Sequence, residues 1–385
     1  MKKSLIALAA LAMVGSLSAQ TLDGKPGFQI TGNLNAGYVS QNYFGNKVSG
    51  FEQNGMGTSN IYLRGLEDLG GGMKAHWMHG TDIQFMTMAD QGSMYSATNT
   101  GAVGTYGNDQ KMVGITGGFG TVNFGTINNQ TLYGGVVLLN PIWGTSYSGG
   151  YASTIVADPT GSIVRYNNTM EYKSPAISGF QLFYQTSAKQ NKAVNTNYTP
   201  TLGALNGPGM TEVSLKYSNG PITVQYTDLA TDATGVATAT TAAMKKGVKT
   251  LTGAYDLGNG LRLAALNQKI DNGTLLAYGG AADATKSSDR TTNQIAAQYT
   301  FGPSTIGVNS GQTKENNASR ATYGGQTSKF TSVAYRYELS KMTNLQAKWE
   351  SLDDKAGTVA MAGQFGTARI TNTRVRSTLG LFVAY

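Results

Sequence analysis

The most constraining feature of this chain is a period of two. At its end, Val375, Ser377, Leu379, Leu381, Val383 and Tyr385 share one parity, while Arg374, Arg376, Thr378 and Gly380 share the other. Successive side chains of a strand point to opposite faces, so this segment reads as a strand with one apolar and one polar face. The pattern recurs upstream. Phe28, Ile30, Leu34 and Tyr38 oppose Gln29, Thr31, Asn33 and Asn35; Ile61 and Leu63 oppose Asn60, Tyr62 and Arg64. Val164, Tyr166, Met170 and Tyr172 oppose Arg165, Asn167, Thr169, Glu171 and Lys173; Val213, Leu215 and Tyr217 oppose Glu212, Ser214 and Lys216. Ile295, Ala297 and Tyr299 oppose Gln294 and Gln298. Val333, Tyr335 and Tyr337 oppose Ser332, Arg336 and Glu338; Leu345, Ala347 and Trp349 oppose Asn344, Gln346, Lys348 and Glu350.

The connections alternate in length. Short ones fall at Leu69–Gly72, Gly117–Gly120, Pro175–Gly179, Asn219–Pro221, Leu257–Gly260, Phe301–Pro303 and Leu339–Met342, all rich in turn-forming Gly, Pro, Asn or Ser. Long polar ones fall near 40–55, 86–109, 129–162, 191–209, 230–247, 272–290, 314–328 and 353–371. Together they join about sixteen strands, with short turns at one end and long loops at the other, as bacterial outer-membrane barrels are built. A soluble sandwich has no reason to segregate loop lengths this way. In hydrocarbon an open sheet edge has no hydrogen-bond partner, so the last strand is expected to pair with the first. The expected fold is all-β: a 16-stranded antiparallel transmembrane β-barrel with short periplasmic turns and long extracellular loops. Sixteen strands are wide enough to leave an aqueous channel.

The N-terminus agrees with export. Lys2 and Lys3 precede a short apolar stretch, Leu5–Val14, and then the small residues Gly15, Ser16, Ser18 and Ala19. That is the layout of a secretory signal peptide over 1–19, with cleavage after Ala19 and a barrel domain over 20–385. Elsewhere no apolar run approaches the roughly 20 residues a membrane helix needs, and the mean hydropathy is −0.22. With 51 glycines, 21 tyrosines, 8 prolines and no cysteine, the composition suits many tightly turned strands and leaves no disulfide to stabilise an exported fold. The net charge of +8 is a mild excess that favours anions in a pore. It lacks the clustered basic runs of a nucleic-acid partner.

Several segments resemble the general trimeric porins of Gram-negative bacteria. Gly65-Leu66-Glu67-Asp68-Leu69-Gly70-Gly71-Gly72-Met73-Lys74-Ala75 is similar to their second-to-third-strand hairpin, and Gly118–Gly125 to their next one. Tyr166–Tyr184, with its Ser174-Pro175 turn, resembles their sixth and seventh strands, and the closing strand ending at Tyr385 resembles their assembly signal. The likeness runs over nearly the whole mature chain. It implies a homotrimer in which each barrel has its own pore, and a third long loop, here about 129–162, folded inward as a constriction. Such a barrel would have outer-membrane lipid and lipopolysaccharide as neighbours and small hydrophilic solutes and ions as cargo.

The expected constriction loop is unusual. The family's Pro-Glu-Phe-Gly motif is matched by Pro141-Ile142-Trp143-Gly144, so Ile142 stands where the acid would be. The loop holds one acid, Asp158, no Lys or Arg, and the aromatics Tyr133, Trp143, Tyr147 and Tyr151. Loops longer than about 12–15 residues are usually functional or disordered. Parity places Arg64, Arg336, Lys348, Arg374 and Arg376 on the lumen face of strands that become neighbours on closure, with Arg165 near the mouth. Two readings stand at this level. One is a positive wall that attracts anions. The other is a salt-bridged lining, balanced by acids such as Glu67, Glu171, Glu338 and Glu350.

Catalytic, cofactor and metal sites find no support. His76 and His79 are three apart, on opposite faces of a strand, and no third His or Cys completes a zinc site. Gly118-Phe119-Gly120 leads into a strand rather than a nucleotide-binding helix. The leading expectation is a diffusion channel with mild anion preference. Alternatives are a substrate-specific channel using the loop aromatics, a plugged adhesin or structural barrel, and an outer-membrane hydrolase.

Overall fold

The structure is a computed structural model, and it describes residues 26–43, 46–53, 59–83, 109–131, 135, 138, 165–187, 209–231, 247–273, 288–318, 324–353, 355 and 373–385. The expected signal peptide lies outside these residues. Seventeen strands run in order: β1 (Gly27–Tyr43), β2 (Asn46–Gln53), β3 (Asn60–Gly70), β4 (Met73–Asp82), β5 (Lys111–Gly117), β6 (Gly120–Asn128), β7 (Arg165–Lys173), β8 (Phe180–Ser187), β9 (Met210–Asn219). They continue as β10 (Ile222–Thr231), β11 (Gly247–Asp256), β12 (Leu261–Gly273), β13 (Ser288–Phe301), β14 (Ser304–Glu315), β15 (Thr327–Glu338), β16 (Thr343–Asp353) and β17 (Thr373–Ala384).

From β3 to β17 each strand pairs antiparallel with the next. β17 then pairs with β1 from Asn33↔Ala384 to Asn42↔Val375, which closes the sheet. On its other side β1 pairs with β3 over Gly27–Asn33 and with β2 over Ala36–Tyr43. β2 and β3 therefore share one position, and the barrel is sixteen-stranded. This differs from the long first loop expected near 40–55. The ladder continues instead through a hairpin, with Tyr38 and Phe51 packed edge to face at 5.5 Å.

All seven short connections lie where the turn residues place them. Gly70, Gly71 and Gly72 have φ of 77°, 60° and 80°, a run of left-handed backbone that only glycine adopts at no steric cost. Closure depends on Tyr385, which exchanges backbone hydrogen bonds with Gly32 at 3.0 and 3.1 Å. Its hydroxyl donates to the Asn60 carbonyl at 3.2 Å. A Cβ on Gly32 would lie 2.7 Å from that hydroxyl, so the glycine makes room for the last ring.

The barrel is inverted relative to a water-soluble protein. Its outer face exposes Phe28, Ile30, Trp77, Val213, Leu215, Leu263, Ile295 (67%), Tyr335, Leu345, Trp349 and Leu379. Its inner face buries polar groups, among them Asn309, Gln185, Thr250, Gln268 and Ser332. Some of these inner-face groups hydrogen-bond each other: Gln268 donates to Thr250 at 3.0 Å and Gln225 to Ser214 at 2.9 Å. Aromatics gather toward the short-turn end of the outer face, with Phe180 against Tyr217 at 4.6 Å and Tyr299 stacked on Phe301 at 5.5 Å. Phe28 lies 6.0 Å from Trp77, whose ring covers Gly65. Such an apolar band with an aromatic girdle is what lipid requires of a barrel.

Candidate functional site

The charged inner wall is the candidate site, and strand parity positions it. On β15 and β16 the cations are paired. Arg336 Nε lies 2.7 Å from Glu338, and Lys348 Nζ lies 3.4 Å from Glu350, with side chains 1% and 0% exposed for the lysine and glutamate. The other Glu350 oxygen accepts from Ser332 Oγ at 3.0 Å. Arg64, buried on β3, lies 5.1 Å from the ring of Tyr62, and Tyr62 donates to Asp109 at the end of the second long connection. Of the two readings open at the sequence, the salt-bridged lining describes this wall at Arg336 and Lys348.

Other expected residues are only partly described. Arg374 and Arg376 sit on β17 opposite Leu352 and Glu350, but their side chains lie outside the described residues. The same holds for Arg165, opposite Asn128. A bulge between Gly125 and Ile127 shifts the register there, so parity counted from Glu171 does not carry through to Arg165. Glu171 itself is buried and accepts from Asn123 at 2.8 Å and Gln185 at 2.7 Å. The loop residues Tyr133, Pro141, Trp143, Tyr147, Tyr151 and Asp158 all lie outside the described residues.

The beginning of that third connection is described, and it runs along the inside of the wall. Glu212 on β9 accepts from the backbone N–H groups of Gln130 at 2.7 Å and Thr131 at 2.6 Å, and from the Thr131 hydroxyl at 2.5 Å. The Thr131 hydroxyl also pairs with that of Thr227 on β10 at 3.0 Å, and Gln225 donates to Gln130 at 3.3 Å. A Cβ on Gly135 would lie 3.3 Å from Thr250 on β11. Arg262 on β12 donates to the Leu138 carbonyl at 2.6 Å and lies 3.6 Å from Asp256. Four successive strands thus line the connection between Gln130 and Leu138, from near the loop end at Glu212 to near the short-turn end at Arg262. The sequence reading left Glu212 and Arg262 out of the site. Parity set Glu212 on the polar face, but its partners come from a segment about eighty positions away.

A second omission lies on β7 to β9. Lys173 and Lys216 both face inward near the short turns, on either side of β8. Lys173 Nζ lies 5.4 Å from the Phe183 ring on β8. His76, on the inner face of β4, hydrogen-bonds Asn123 at 2.7 Å. Among the described residues no three His, Cys, Asp or Glu side chains gather as a metal site.

Comparison with known proteins agrees with this geometry. Residues 5–369 match the Gram-negative porin family. The major outer membrane protein P.IB of Neisseria gonorrhoeae is 30% identical over 236 residues, 60% of this chain and 57% of that protein. Outer membrane porin protein 32 of Delftia acidovorans is 30% identical over 230 residues, 58% of each. The chain thus aligns with somewhat under three fifths of the length of these relatives. Among solved structures, an anion-selective porin from Comamonas acidovorans superposes with a TM-score of 0.67 at 18% identity, covering 94% of this chain and 100% of that one. Salmonella typhi OmpF gives 0.70 at 11%, covering 95% and 99%. At these identities the superpositions speak for the fold.

Proposed function

Because this chain belongs to the Gram-negative porins, we propose that it is a passive outer-membrane channel for small hydrophilic solutes and ions, with a mild preference for anions, and not an enzyme. One observation carries the reading: a closed sheet whose outward face is apolar and whose inward face holds Arg64, Lys173, Lys216, Arg262, Arg336 and Lys348. Such a barrel needs lipid outside and tolerates water and ions inside. The likeness to an anion-selective porin and the basic excess of the sequence support the anion preference.

The proposal includes a mature chain beginning after Ala19, and a constriction formed by 129–162. The contacts of Gln130, Thr131, Gly135 and Leu138 with the inner wall support an inward course for that loop. It also includes a homotrimer set in outer-membrane lipid and lipopolysaccharide, as the family resemblance implies. Arg374 and Arg376 remain part of the proposed basic lining on the strength of their strand parity.

The test is a planar bilayer carrying the detergent-folded protein under a KCl gradient. Stepwise currents with a reversal potential on the chloride side are expected. Potassium-side reversal would overturn the anion preference while keeping the channel, and silence would overturn the channel itself.

A further inference from the structure

We propose that Lys173 and Lys216 form a binding site for small oxyanions of the phosphate class on the inner wall, near the short-turn mouth. The proposal deepens the channel reading above, and rests on it for the route by which the anion arrives. Lys173 is the last residue of β7 and pairs with Phe183 of β8; Lys216 of β9 pairs with Gln181 of β8. The two lysines thus flank one strand on the same face. The Phe183 ring sits beside one ammonium, and the Gln181 side chain is turned to the Ser174 carbonyl at 3.0 Å.

What marks the pair is that no acid among the described residues is ion-paired with either lysine, whereas Arg262, Arg336 and Lys348 all have such a partner. The acids higher on the same faces are already engaged. Glu171 holds Asn123 and Gln185, and Glu212 holds Gln130 and Thr131. Two like charges set on either side of β8 on one face raise each other's energy, and a doubly charged oxyanion between them relieves that repulsion while accepting their hydrogens. Lysine suits a transit site because its ammonium is a mobile point charge on a flexible stem, able to release what it takes.

The probe is inorganic phosphate, added on the short-turn side of a bilayer carrying the full barrel in KCl. Phosphate should reduce the chloride current in a saturable way. K173Q/K216Q should raise the half-blocking concentration about tenfold, the equivalent of one charge-assisted hydrogen bond. K173R/K216R, which keeps both charges, should stay within about twofold of the parent. K269Q/K314Q removes the same charge from the outer face and should leave block unchanged. Equal block in the parent and K173Q/K216Q would overturn the site, as would an equal shift in K269Q/K314Q. Calorimetry of phosphate binding to the detergent-folded barrel separates this from the channel reading. If no variant conducts, heat retained in K173Q/K216Q still overturns the site, and heat lost only there supports it.

Discussion

Two stretches of the inner wall carry basic side chains under opposite conditions. On β15 and β16 each cation has an acid two residues along its own strand: Arg336 with Glu338, Lys348 with Glu350. On β7 and β9 the two lysines flank β8 on one face; Glu171 stands two residues from Lys173, but its oxygens accept from Asn123 and Gln185, and neither lysine is ion-paired among the described residues. The first wall is self-neutralised, so its charges serve the barrel's integrity. In the second, the acids of the same face hold amide and backbone donors instead of the lysines. Counting lumen cations therefore does not measure the field a solute meets; what matters is which of them are already answered.

The comparison can be broken by variants. The largest effect is expected for Glu350→Gln, which strands the buried Lys348. Removing one partner of a buried pair costs about 3–5 kcal/mol, read as a fall in the unfolding midpoint in denaturant, and K348M/E350M should recover most of it. A midpoint unchanged in E350Q would mean that Lys348 is solvated and the wall is not self-neutralised. Glu212→Gln comes next. It places an amide donor against the N–H groups of Gln130 and Thr131, at about 1.5–3 kcal/mol for a lost charged hydrogen bond. The expected readout is a noisier open channel of larger step size, as the third connection leaves the wall.

A smaller effect separates the walls directly. K173Q/K216Q should move the reversal potential toward potassium, while R336Q/E338Q, which removes a neutral pair, should move it less. The reverse order would return selectivity to the β15–β16 side. The smallest effect is expected outside. Lys249→Gln breaks a 3.5 Å pair with Asp228 whose members are 52% and 38% exposed. Exposed pairs contribute under about 1 kcal/mol, so both stability and reversal potential should hardly move.

Much of the fold was legible because a strand's facing is a local property. Leu345, Ala347 and Trp349 against Asn344, Gln346 and Lys348 give both faces of β16 without knowledge of any neighbour. The seven turns were equally legible, since glycines such as Gly70–Gly72 mark backbone that other residues avoid. Two features were not. The course of β1 into β2 rests on the pairing of Tyr38 with Phe51, and polar residues near 40–55 looked like a loop. Past the bulge at Gly125 and Ile127 the register shifts, so a count of two from Glu171 does not carry to Arg165.

The site divides the same way. Parity sets Arg64, Arg336 and Lys348 on the polar face; Arg64 and Lys348 are buried, and Arg336 and Lys348 are ion-paired. Glu338 and Glu350, two residues away, stood only among the acids of one of two open readings, because a neighbour on the same face is paired only if the geometry closes. The sequence by itself determined a lipid-facing sheet with a polar interior, since alternation and turn chemistry act within a few residues. Only the tertiary structure decided which charges are answered. Glu212 meets Thr131, Arg262 meets Leu138, and Lys173 and Lys216 flank β8 because of how distant segments are brought together in the barrel, and electrostatics depends on distance in space rather than along the chain.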